Sequence, residues 1–286
     1  DADAIIAGTE TYRPELLARL RNLKLICRNG IGYDAINLDA LRKEGIGLTR
    51  TKGFVEGEVA EQVMAYILYF ARRVDLQSAD MHDHCWNSRL MPGAKNHTIG
   101  LVGFGGIGTE VAKRAVPFGM KVIYFCRHPN PADDAAYGVQ SVSMEELLKE
   151  SDYVVAAVPL TDQTFHLFNE ERIAQMKAGS VLINIARGPV VDEEALAQAL
   201  ASGHLGGCAV DVFPKEPCTN SVLTRYANAL LTPHSATSTA ENSKATNFAA
   251  ANNLVNYLKK DIDAKYVVVQ GTRYYSVIQK QKTSEG

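Results

Sequence analysis

The 286-residue sequence lacks a long apolar run, a strong charge imbalance and a regular set of cysteines. No apolar stretch reaches the roughly eighteen to twenty residues that a membrane-spanning helix needs. The net charge of −2 provides no attraction to nucleic acid or to an anionic membrane. The five cysteines are scattered and odd in number, which is typical of reduced thiols. We therefore expect a soluble cytoplasmic protein with no nucleic-acid or membrane partner.

A metal site is not expected either. His82, His84 and Cys85 lie close together in the sequence. No second cluster of ligand residues accompanies them, whereas a metal site usually needs three or four ligands. A solvated helix end is the better interpretation of this short segment.

The densest functional pattern lies in residues 98–127. An apolar run at 98–102 predicts a buried strand, and apolar residues then recur at helical spacing up to Phe118. Between them stands a G-x-G-x-x-G motif, and a second apolar run covers 121–126. Strand, glycine turn, helix and strand within about thirty residues indicate a dinucleotide-binding unit. We expect the helix to open at the third glycine, Gly108, and to direct its free N–H groups at a pyrophosphate.

The second strand of this unit lacks the acid that usually holds the ribose of NAD. Cys126 takes that place, and Arg127 and His128 follow it. A carboxylate there would repel a 2′-phosphate, whereas a guanidinium attracts it. The sequence therefore favours NADP(H) over NAD(H). An ordinary surface arginine, in an enzyme that accepts either cofactor, is the alternative.

Apolar runs and helical stripes alternate along the rest of the chain. This rhythm predicts the α/β class, with parallel strands and helices on both faces of a sheet. The apolar stripe of residues 58–73 predicts a long helix that crosses from a first domain to a second. Residues 80–95 are predicted to be a polar connection, and residues 242–259 a helix that returns to the first domain.

Three predicted strands of the second half are followed by residues that can do chemistry. Arg187 follows the run at 181–186, Glu216 the run at 207–213, and His234 the run at 229–232. Parallel strands bring their carboxyl ends to one edge of a sheet, beside a bound cofactor. His234 can exchange a proton near neutral pH, a buried Glu216 would orient it, and Arg187 can bind a carboxylate.

An ordered series of motifs resembles the D-isomer-specific 2-hydroxyacid dehydrogenase family over nearly the whole length. The motifs are N-G-I-G-Y-D (29–34), E-V-A-E (58–61), V-G-F-G-G-I-G (102–108), P-L-T-D-Q-T (159–164), I-N-I-A-R-G-P-V-V-D-E-E-A-L (183–196), A-V-D-V-F-P-K-E-P (209–217) and T-P-H-S-A (232–236). The stretch around Arg187 is the most specific of them.

The resemblance implies two domains and a cleft that closes on substrate. A Rossmann-type doubly wound parallel sheet would span residues 75–235, and a smaller flavodoxin-like α/β substrate domain would combine 1–74 with 236–286. Family members have a further strand and helix ahead of the segment equivalent to Asp1. The substrate domain is therefore expected to be truncated or incompletely represented. The tail from Thr272 to Gly286 matches no family motif.

The resemblance also implies residue roles. Arg187 would bind the substrate, His234 would be the acid/base and Glu216 its partner. Asn29 and Gly30 fall where family members present backbone N–H groups to the substrate carboxylate. The implied cofactor-binding positions are Gly103, Gly105, Gly106, Ile107, Gly108, Cys126, Arg127, His128, Val158, Pro159, Thr164, Ala186, Asp211 and His234.

The implied activity is hydride transfer between NAD(P)H and a small 2-oxo or 2-hydroxy acid of D configuration, chiefly as a reductase. The segment C-R-H-P (126–129) is similar to that of NADPH-using glyoxylate/hydroxypyruvate reductases. A homodimer is also implied, with the helix from Glu58 and the Trp86 segment as contacts. The alternatives are a corepressor-like nucleotide sensor without catalysis and a phosphite or formate dehydrogenase. Arg28 would either meet the second anionic group of a phosphoglycerate-type substrate or be a surface charge.

Overall fold

The computed structural model describes residues 2–273. These residues form two compact units. The first unit combines the residues up to Val55 with those from Thr237 onward, and the second is Glu56–Ala236. Most of the unmatched tail, residues 274–286, lies outside the described residues. No helix in the described range combines the length and apolar character needed to cross a membrane.

The elements of residues 2–273 follow in chain order. The strands are β1 (Ala4–Ala7), β2 (Leu25–Arg28), β3 (Gly47–Arg50), β4 (Thr98–Val102), β5 (Lys121–Phe125), β6 (Gln140–Ser141), β7 (Tyr153–Ala156), β8 (Val181–Asn184), β9 (Gly207–Val210), β10 (Ala229–Leu231) and β11 (Val267–Val269). The helices are α1 (Pro14–Arg19), α2 (Leu38–Glu44), α3 (Glu56–Arg72), α4 (Val74–His82), α5 (Gly106–Ala115), α6 (Pro131–Tyr137), α7 (Met144–Glu150), α8 (Glu170–Ala174), α9 (Glu193–Ala201) and α10 (Ala240–Lys259).

The second unit is built on a parallel sheet that is buried on both faces. Within the described residues this sheet has seven strands in the order β10-β9-β8-β7-β4-β5-β6. Tyr153 and Val155 of β7 face the core formed with α3 and α5, whereas Val154 and Ala156 face the core formed with α7 and α9. Alternate side chains enter opposite cores, so the strand reads as a continuous apolar run. The predicted α/β class with helices on both faces is confirmed.

The carboxyl ends of six of these strands lie level with one another. Val102 of β4 pairs with Phe125 of β5 on one side and with Ala156 of β7 on the other. The same row continues through Asn184, Val210 and Leu231, the last residues of β8, β9 and β10. The residues that follow each strand therefore emerge along one edge, which we call the carboxyl edge.

Helix α3 belongs to the second unit and not to the first. Its stripe, with Val63 and Ile67 at the centre, shares a core with Ile99, Leu101 and Val111. The boundary between the units falls after Val55, whereas the sequence placed it after residue 74. The second boundary, after Ala236, differs by one residue from the expected one. Periodicity showed that α3 is amphipathic, but not which core its stripe covers.

The first unit has a smaller sheet, which within residues 2–273 has four strands in the order β1-β2-β3-β11. β1, β2 and β3 are parallel, and β11 pairs antiparallel with β3. Helix α10 packs on the parallel strands, where Tyr257 is buried with Leu25 and Cys27. This confirms the prediction that the helix at 242–259 returns to the first domain.

Two helices and a strand were not predicted. α4 falls partly in the segment that was expected to be a polar connection, and it buries no residue. A helix without an apolar stripe has no periodicity to detect. α6 starts with Asn130 as its N-cap and Pro131 at its first position, and the two-residue strand β6 follows it. Capping chemistry was the available signal for α6.

Burial divides the five thiols into reactive and protected ones. Burial raises the pKa of Cys27 to about 11 and the pKa of Cys208 to about 12. Because the thiolate is the reactive form, both should resist a chromogenic disulfide reagent at about pH 8 in the native protein. Cys126 and Cys218 are partly exposed and should react before both of these buried thiols. We expect full labelling of all five only in denaturant, and immediate release of five equivalents from the native protein would contradict this arrangement.

Candidate active site

The glycine turn after β4 is shaped by close backbone contacts. Gly103 has φ +103°, and a Cβ on it would lie 2.4 Å from the carbonyl oxygen of Ala157. A Cβ on Gly108 would lie 2.7 Å from the carbonyl oxygen of Gly103. Neither position tolerates a side chain, because Gly103 lies against the backbone that follows β7 and Gly108 lies against the end of β4.

Helix α5 begins at Gly106, two residues before the predicted start at Gly108. Gly105 is the N-cap in extended conformation, and it has no side chain that could cap the first turn. A Cβ on Gly105 would meet no atom within 4 Å. The first turn of α5 therefore has no side-chain cap, and the space beside Gly105 is open. Open space at a helix N-terminus suits the pyrophosphate of a dinucleotide.

The segment after β5 carries cationic side chains at the surface. Cys126 is half-buried, whereas Arg127 and His128 are exposed. The Nη1 atom of Arg127 lies 3.5 Å from Oε1 of Gln163, a long contact that leaves the guanidinium at the surface.

The carboxylate of Asp134, on α6, is tied to the sheet. The hydroxyl of Tyr124 donates to its Oδ1 over 2.7 Å, and the Tyr124 ring stacks on Phe104 of the glycine turn at 4.1 Å. Burial, followed by the bond to Asp134, raises the pKa of Tyr124 to about 12, so this hydroxyl keeps its proton at neutral pH. The Asp134 carboxylate therefore braces the segment between β5 and α6.

The remaining predicted cofactor positions also lie beyond strand ends. Val158 and Pro159 follow β7, and Ala186 follows β8 and is buried. The hydroxyl of Thr164 donates to the carbonyl of Pro159 over 2.6 Å and accepts from the N–H of Thr161 over 2.8 Å. Thr164 thus closes the turn that starts at Pro159.

A buried asparagine sets the backbone that carries Arg187. The strand pairing of β8 stops at Asn184, although the apolar run continues to Ala186. The Oδ1 atom of Asn184 accepts from the N–H of Ala186 (3.1 Å), and its Nδ2 donates to the carbonyl of Arg187 (3.0 Å). The Nη1 atom of Arg187 in turn donates to the carbonyl of Ala186 over 2.7 Å. Sequence reasoning missed Asn184, and a polar residue inside an apolar run was its signal.

Gly188 brings the Arg187 turn against the next loop. A Cβ on Gly188 would lie 2.0 Å from the carbonyl carbon of Phe213 and 2.2 Å from the nitrogen of Pro214. The N–H of Phe213 donates to Oε1 of Glu216 over 2.9 Å. The arginine turn and the glutamate loop are therefore in direct backbone contact.

The side chains of Glu216 and His234 are joined by a hydrogen bond. The Oε2 atom of Glu216 lies 2.7 Å from Nδ1 of His234. Because a carboxylate only accepts, Nδ1 carries a proton and Nε2 is the nitrogen left for chemistry. The prediction that Glu216 is buried is wrong, since about a third of its side chain (34%) is exposed. Backbone bonding through Phe213, rather than burial, holds this carboxylate.

Register places the turns that carry Arg187 and His234 near each other along the carboxyl edge. Arg187, Phe213 and His234 each stand three residues beyond the level ends Asn184, Val210 and Leu231 of three adjacent strands. Strands lie about 4.8 Å apart, so the turns after β8 and β10 are separated by about 10 Å. A small acid can contact residues from both turns across such a distance.

Asp211 lies at the same edge and is buried. Its Oδ1 atom accepts from the N–H of Ser235 (2.8 Å) and its Oδ2 from the N–H of Ala236 (3.0 Å). Oδ1 also accepts from the hydroxyl of Thr232. A carboxylate offers about four acceptor positions, so one position on Oδ2 stays open to a further donor.

In the first unit, the N–H groups of Asn29 and Gly30 are already used. Asn29 donates to the carbonyl of Ala7 over 2.8 Å, and Gly30 donates to the hydroxyl of Thr51 over 2.8 Å. Both amides thus bond within the first unit, and their role toward a substrate carboxylate stays a prediction. In the same loop, the N–H groups of Ile31 and Gly32 have no acceptor among residues 2–273. These two donors were missed because the motif alone does not show which amides are occupied.

A cavity of about 500 Å³ lies within the first unit, between the Asn29–Gly30 loop and the start of α10. Among residues 2–273, its lining has no charged side chain. Five hydroxyl side chains contribute to it: Thr237, Ser238, Thr239, Ser243 and Thr246.

Arg28 is hydrogen-bonded to main-chain oxygens of the first unit. Its Nε donates to the carbonyl of Gly32 over 2.8 Å, and its Nη1 donates to the carbonyl of Ala7 over 3.3 Å and to that of Asn29. The guanidinium is thus folded back on its own loop, which it braces.

Comparisons with known proteins identify the family of this chain. The profile of the D-isomer specific 2-hydroxyacid dehydrogenase NAD binding domain matches residues 64–236. Glyoxylate reductase from Thermococcus litoralis is 36% identical over 277 residues, covering 93% of this chain and 84% of that protein. Hydroxypyruvate reductase from Thermotoga maritima is 37% identical over 248 residues, covering 84% and 80%.

A solved structure supports the same relationship. D-lactate dehydrogenase from Aquifex aeolicus, determined with NAD and lactic acid, superposes with a TM-score of 0.87 at 30% identity. The alignment covers 95% of this chain and 88% of that one. The matched profile spans more than half of the chain, and both reductases exceed 30% identity over most of its length. The chain belongs to the D-isomer-specific 2-hydroxyacid dehydrogenase family and is a nicotinamide-dependent 2-hydroxyacid dehydrogenase.

Proposed function

We propose that the protein reduces a small, non-phosphorylated 2-oxo acid, of the size of glyoxylate or hydroxypyruvate, to the D-2-hydroxy acid. One observation carries the proposal: Arg187 and the Glu216–His234 pair follow adjacent parallel strands whose ends are level. When bound, the nicotinamide supplies the hydride. The names of the two related reductases support this substrate size.

In the proposed mechanism, Arg187 binds the substrate carboxylate with two parallel hydrogen bonds and so fixes the direction of the C2 carbonyl. His234, protonated on both nitrogens, donates the Nε2 proton to the carbonyl oxygen as C2 is reduced. Nδ1 keeps its proton and its bond to Glu216 throughout. Glu216 thereby holds the ring in place and stabilises the imidazolium before transfer. Asp211 holds the carboxamide of the cofactor through its open Oδ2 position.

The first unit supports a small polar substrate. The cavity beside Asn29 and Gly30 is lined by hydroxyl and amide groups and by no cation. A phosphorylated acid needs a second cation, and the guanidinium of Arg28 is committed to its own loop. We propose that the N–H groups of Ile31 and Gly32 contribute to carboxylate recognition. The assignment of Asn29 and Gly30 to that carboxylate stays a prediction.

We further propose that NADP(H) is preferred over NAD(H). Arg127 and His128 are exposed beyond β5, where no carboxylate stands. Asp134 is tied to the hydroxyl of Tyr124 and braces the segment. A guanidinium at this position favours a 2′-phosphate, whereas a ribose 2′-hydroxyl gains little from it.

Removal of the acid should abolish most of the turnover. We expect His234→Gln to lower kcat/KM for glyoxylate and hydroxypyruvate by about a hundredfold to ten-thousandfold, the usual contribution of a general acid. Glu216→Gln should lower it by about tenfold to a hundredfold, since one charge-assisted bond is weakened. The measurement is nucleotide oxidation followed by absorbance, with nucleotide affinity measured by fluorescence.

The matched control is His204→Gln, because His204 precedes β9 and so lies at the opposite edge of the sheet. Unchanged turnover in His234→Gln would refute the proposed mechanism. Tight nucleotide binding without turnover on any 2-oxo acid would favour a nucleotide-sensing regulator instead. Turnover with formate or phosphite alone would favour those reactions.

Cofactor choice has its own assay. The ratio of kcat/KM for NADPH to that for NADH should exceed about ten, the effect of one charge-assisted contact. Arg127→Ser should reduce this ratio about tenfold and leave NADH use unchanged, whereas the exposed control Arg225→Ser should change neither. A clear preference of the wild-type protein for NADH is the result that eliminates the proposal.

We also propose that the protein is a homodimer, through a surface formed by α4 and residues 83–90. All residues from Met81 to Leu90 are exposed, including the only tryptophan, Trp86, at 87%, and Leu90, which is fully exposed. Large apolar side chains rarely cluster in water unless a partner covers them. This surface includes the Trp86 segment that the sequence indicated, whereas the stripe of α3 is already covered within the second unit.

Light scattering coupled to size exclusion should give twice the monomer mass, and dilution should shift the Trp86 emission to the red as the indole becomes hydrated. The double variant Trp86→Ser/Leu90→Ser should be monomeric in the same experiment. Phe248→Ser, which removes an exposed aromatic ring from the first unit, is the control and should keep the dimer mass. A monomeric wild-type protein at all concentrations would exclude the proposed interface.

A further inference from the structure

The backbone at His234 is held in an unfavourable conformation. His234 has φ +51°, a left-handed value that is unfavourable for a non-glycine residue unless its surroundings fix it. The N–H groups of three successive residues, His234, Ser235 and Ala236, all donate to Asp211: to its main-chain oxygen (2.7 Å), its Oδ1 (2.8 Å) and its Oδ2 (3.0 Å). Two of these three bonds end on the Asp211 carboxylate and the third on its main-chain oxygen, and together they hold the backbone of residues 234–236.

A chain of hydroxyl groups continues from Asp211 to α3. The Oγ1 atom of Thr232 lies 2.5 Å from Oδ1 of Asp211 and 2.5 Å from the hydroxyl oxygen of Tyr66. A threonine hydroxyl has one proton, and an ionised carboxylate can only accept. The Thr232 proton therefore points to Asp211, and Tyr66 must donate to Thr232. In this series of hydrogen bonds, Tyr66 therefore donates to Thr232, and Thr232 donates to Asp211.

The two ends of the chain are buried. Tyr66 is 2% exposed and Asp211 is 1% exposed. Burial raises the pKa of Tyr66, so its hydroxyl stays protonated and remains a donor at neutral pH. In a medium of low dielectric constant, consecutive hydrogen bonds strengthen one another. A buried polar group that lacks a hydrogen-bond partner lowers the stability of the fold there. The orientation of the Asp211 carboxylate is thus fixed from α3.

We propose that Tyr66 is a positioning residue for His234, acting through Thr232 and Asp211. The sequence pattern identified Tyr66 only as one member of the apolar stripe of α3, and its ring does pack in that core. Its hydroxyl adds a second role, since it fixes the carboxylate around which residues 234–236 are wrapped. The proposal rests on the proposed function, in which His234 donates the proton.

The first experiment removes only the hydroxyl. Tyr66→Phe should lower kcat about threefold to tenfold, the effect of one hydrogen bond, while nucleotide affinity and KM for the 2-oxo acid change less than about twofold. Tyr69→Phe is the matched control. It makes the same change one turn further along α3, where the hydroxyl contacts Arg73 and lies outside the chain of Thr232 and Asp211. A kcat in Tyr66→Phe equal to that of the wild type overturns the proposal.

The second experiment tests the connection through Thr232. Thr232→Val breaks the chain, so adding Tyr66→Phe to that variant should cause no further loss of kcat. Thr232→Ser keeps the hydroxyl and should retain most of the activity. Independent, multiplicative losses from the two changes would show that Tyr66 acts by another route. If Tyr66→Phe does not fold, as judged by thermal unfolding, the comparison of the Ser and Val variants at position 232 decides: equal kcat values refute the chain.

The third measurement does not depend on turnover. In protein labelled with ¹⁵N-histidine, the ring signals of His234 are identified by their loss in His234→Gln. We expect these signals to shift or broaden in Tyr66→Phe and to stay unchanged in Tyr69→Phe. An inactive wild-type protein would refute the proposed function and leave this comparison intact, whereas unchanged His234 signals in Tyr66→Phe would refute the positioning role alone.

Discussion

The parallel ladder of the second unit is the constraint on which the site depends. Six of its strands end on the same row, from Phe125 through Val102, Ala156, Asn184 and Val210 to Leu231. A slip of one residue would turn every side chain of a strand to the opposite core. Because both cores are packed, the register is fixed, and the turns that follow the strands are fixed with it. Packing of the two hydrophobic cores therefore fixes where the residues of the site stand, although the core residues themselves do not contact the reacting groups.

The turns themselves are held by hydrogen bonds between polar side chains and the backbone rather than by hydrophobic packing. Asn184 spans the turn to Arg187, the N–H of Phe213 anchors Glu216, and Asp211 gathers three N–H groups around itself. Each of these bonds pairs a carboxylate or amide with backbone groups that the end of a strand leaves without partners. Consequently Glu216 can stay oriented although it is partly exposed to water.

Much of this arrangement could be predicted from the sequence, and the failures have physical reasons. Apolar runs end at Arg187 and before His234, and the spacing of Gly103, Gly105 and Gly108 is specific, so the strands and the turn were found. α4 was missed because it has no apolar stripe. The hydroxyl of Tyr66 was missed because a tyrosine in a stripe has the pattern of a core residue. Which amides of the Asn29–Gly32 loop are occupied depends on tertiary contacts that no local pattern records.

The contact between Gly188 and Phe213–Pro214 bears on how freely this enzyme can diversify. Any side chain at position 188 would meet main-chain atoms that cannot rotate away, and the displaced loop carries the partner of His234. A directed-evolution library should therefore keep position 188 invariant. The hydroxyl-bearing residues at the start of α10 line a cavity and have room to vary. Substitutions among these hydroxyl-bearing residues would change which acids fit the cavity. Glu216 and His234 would stay in place.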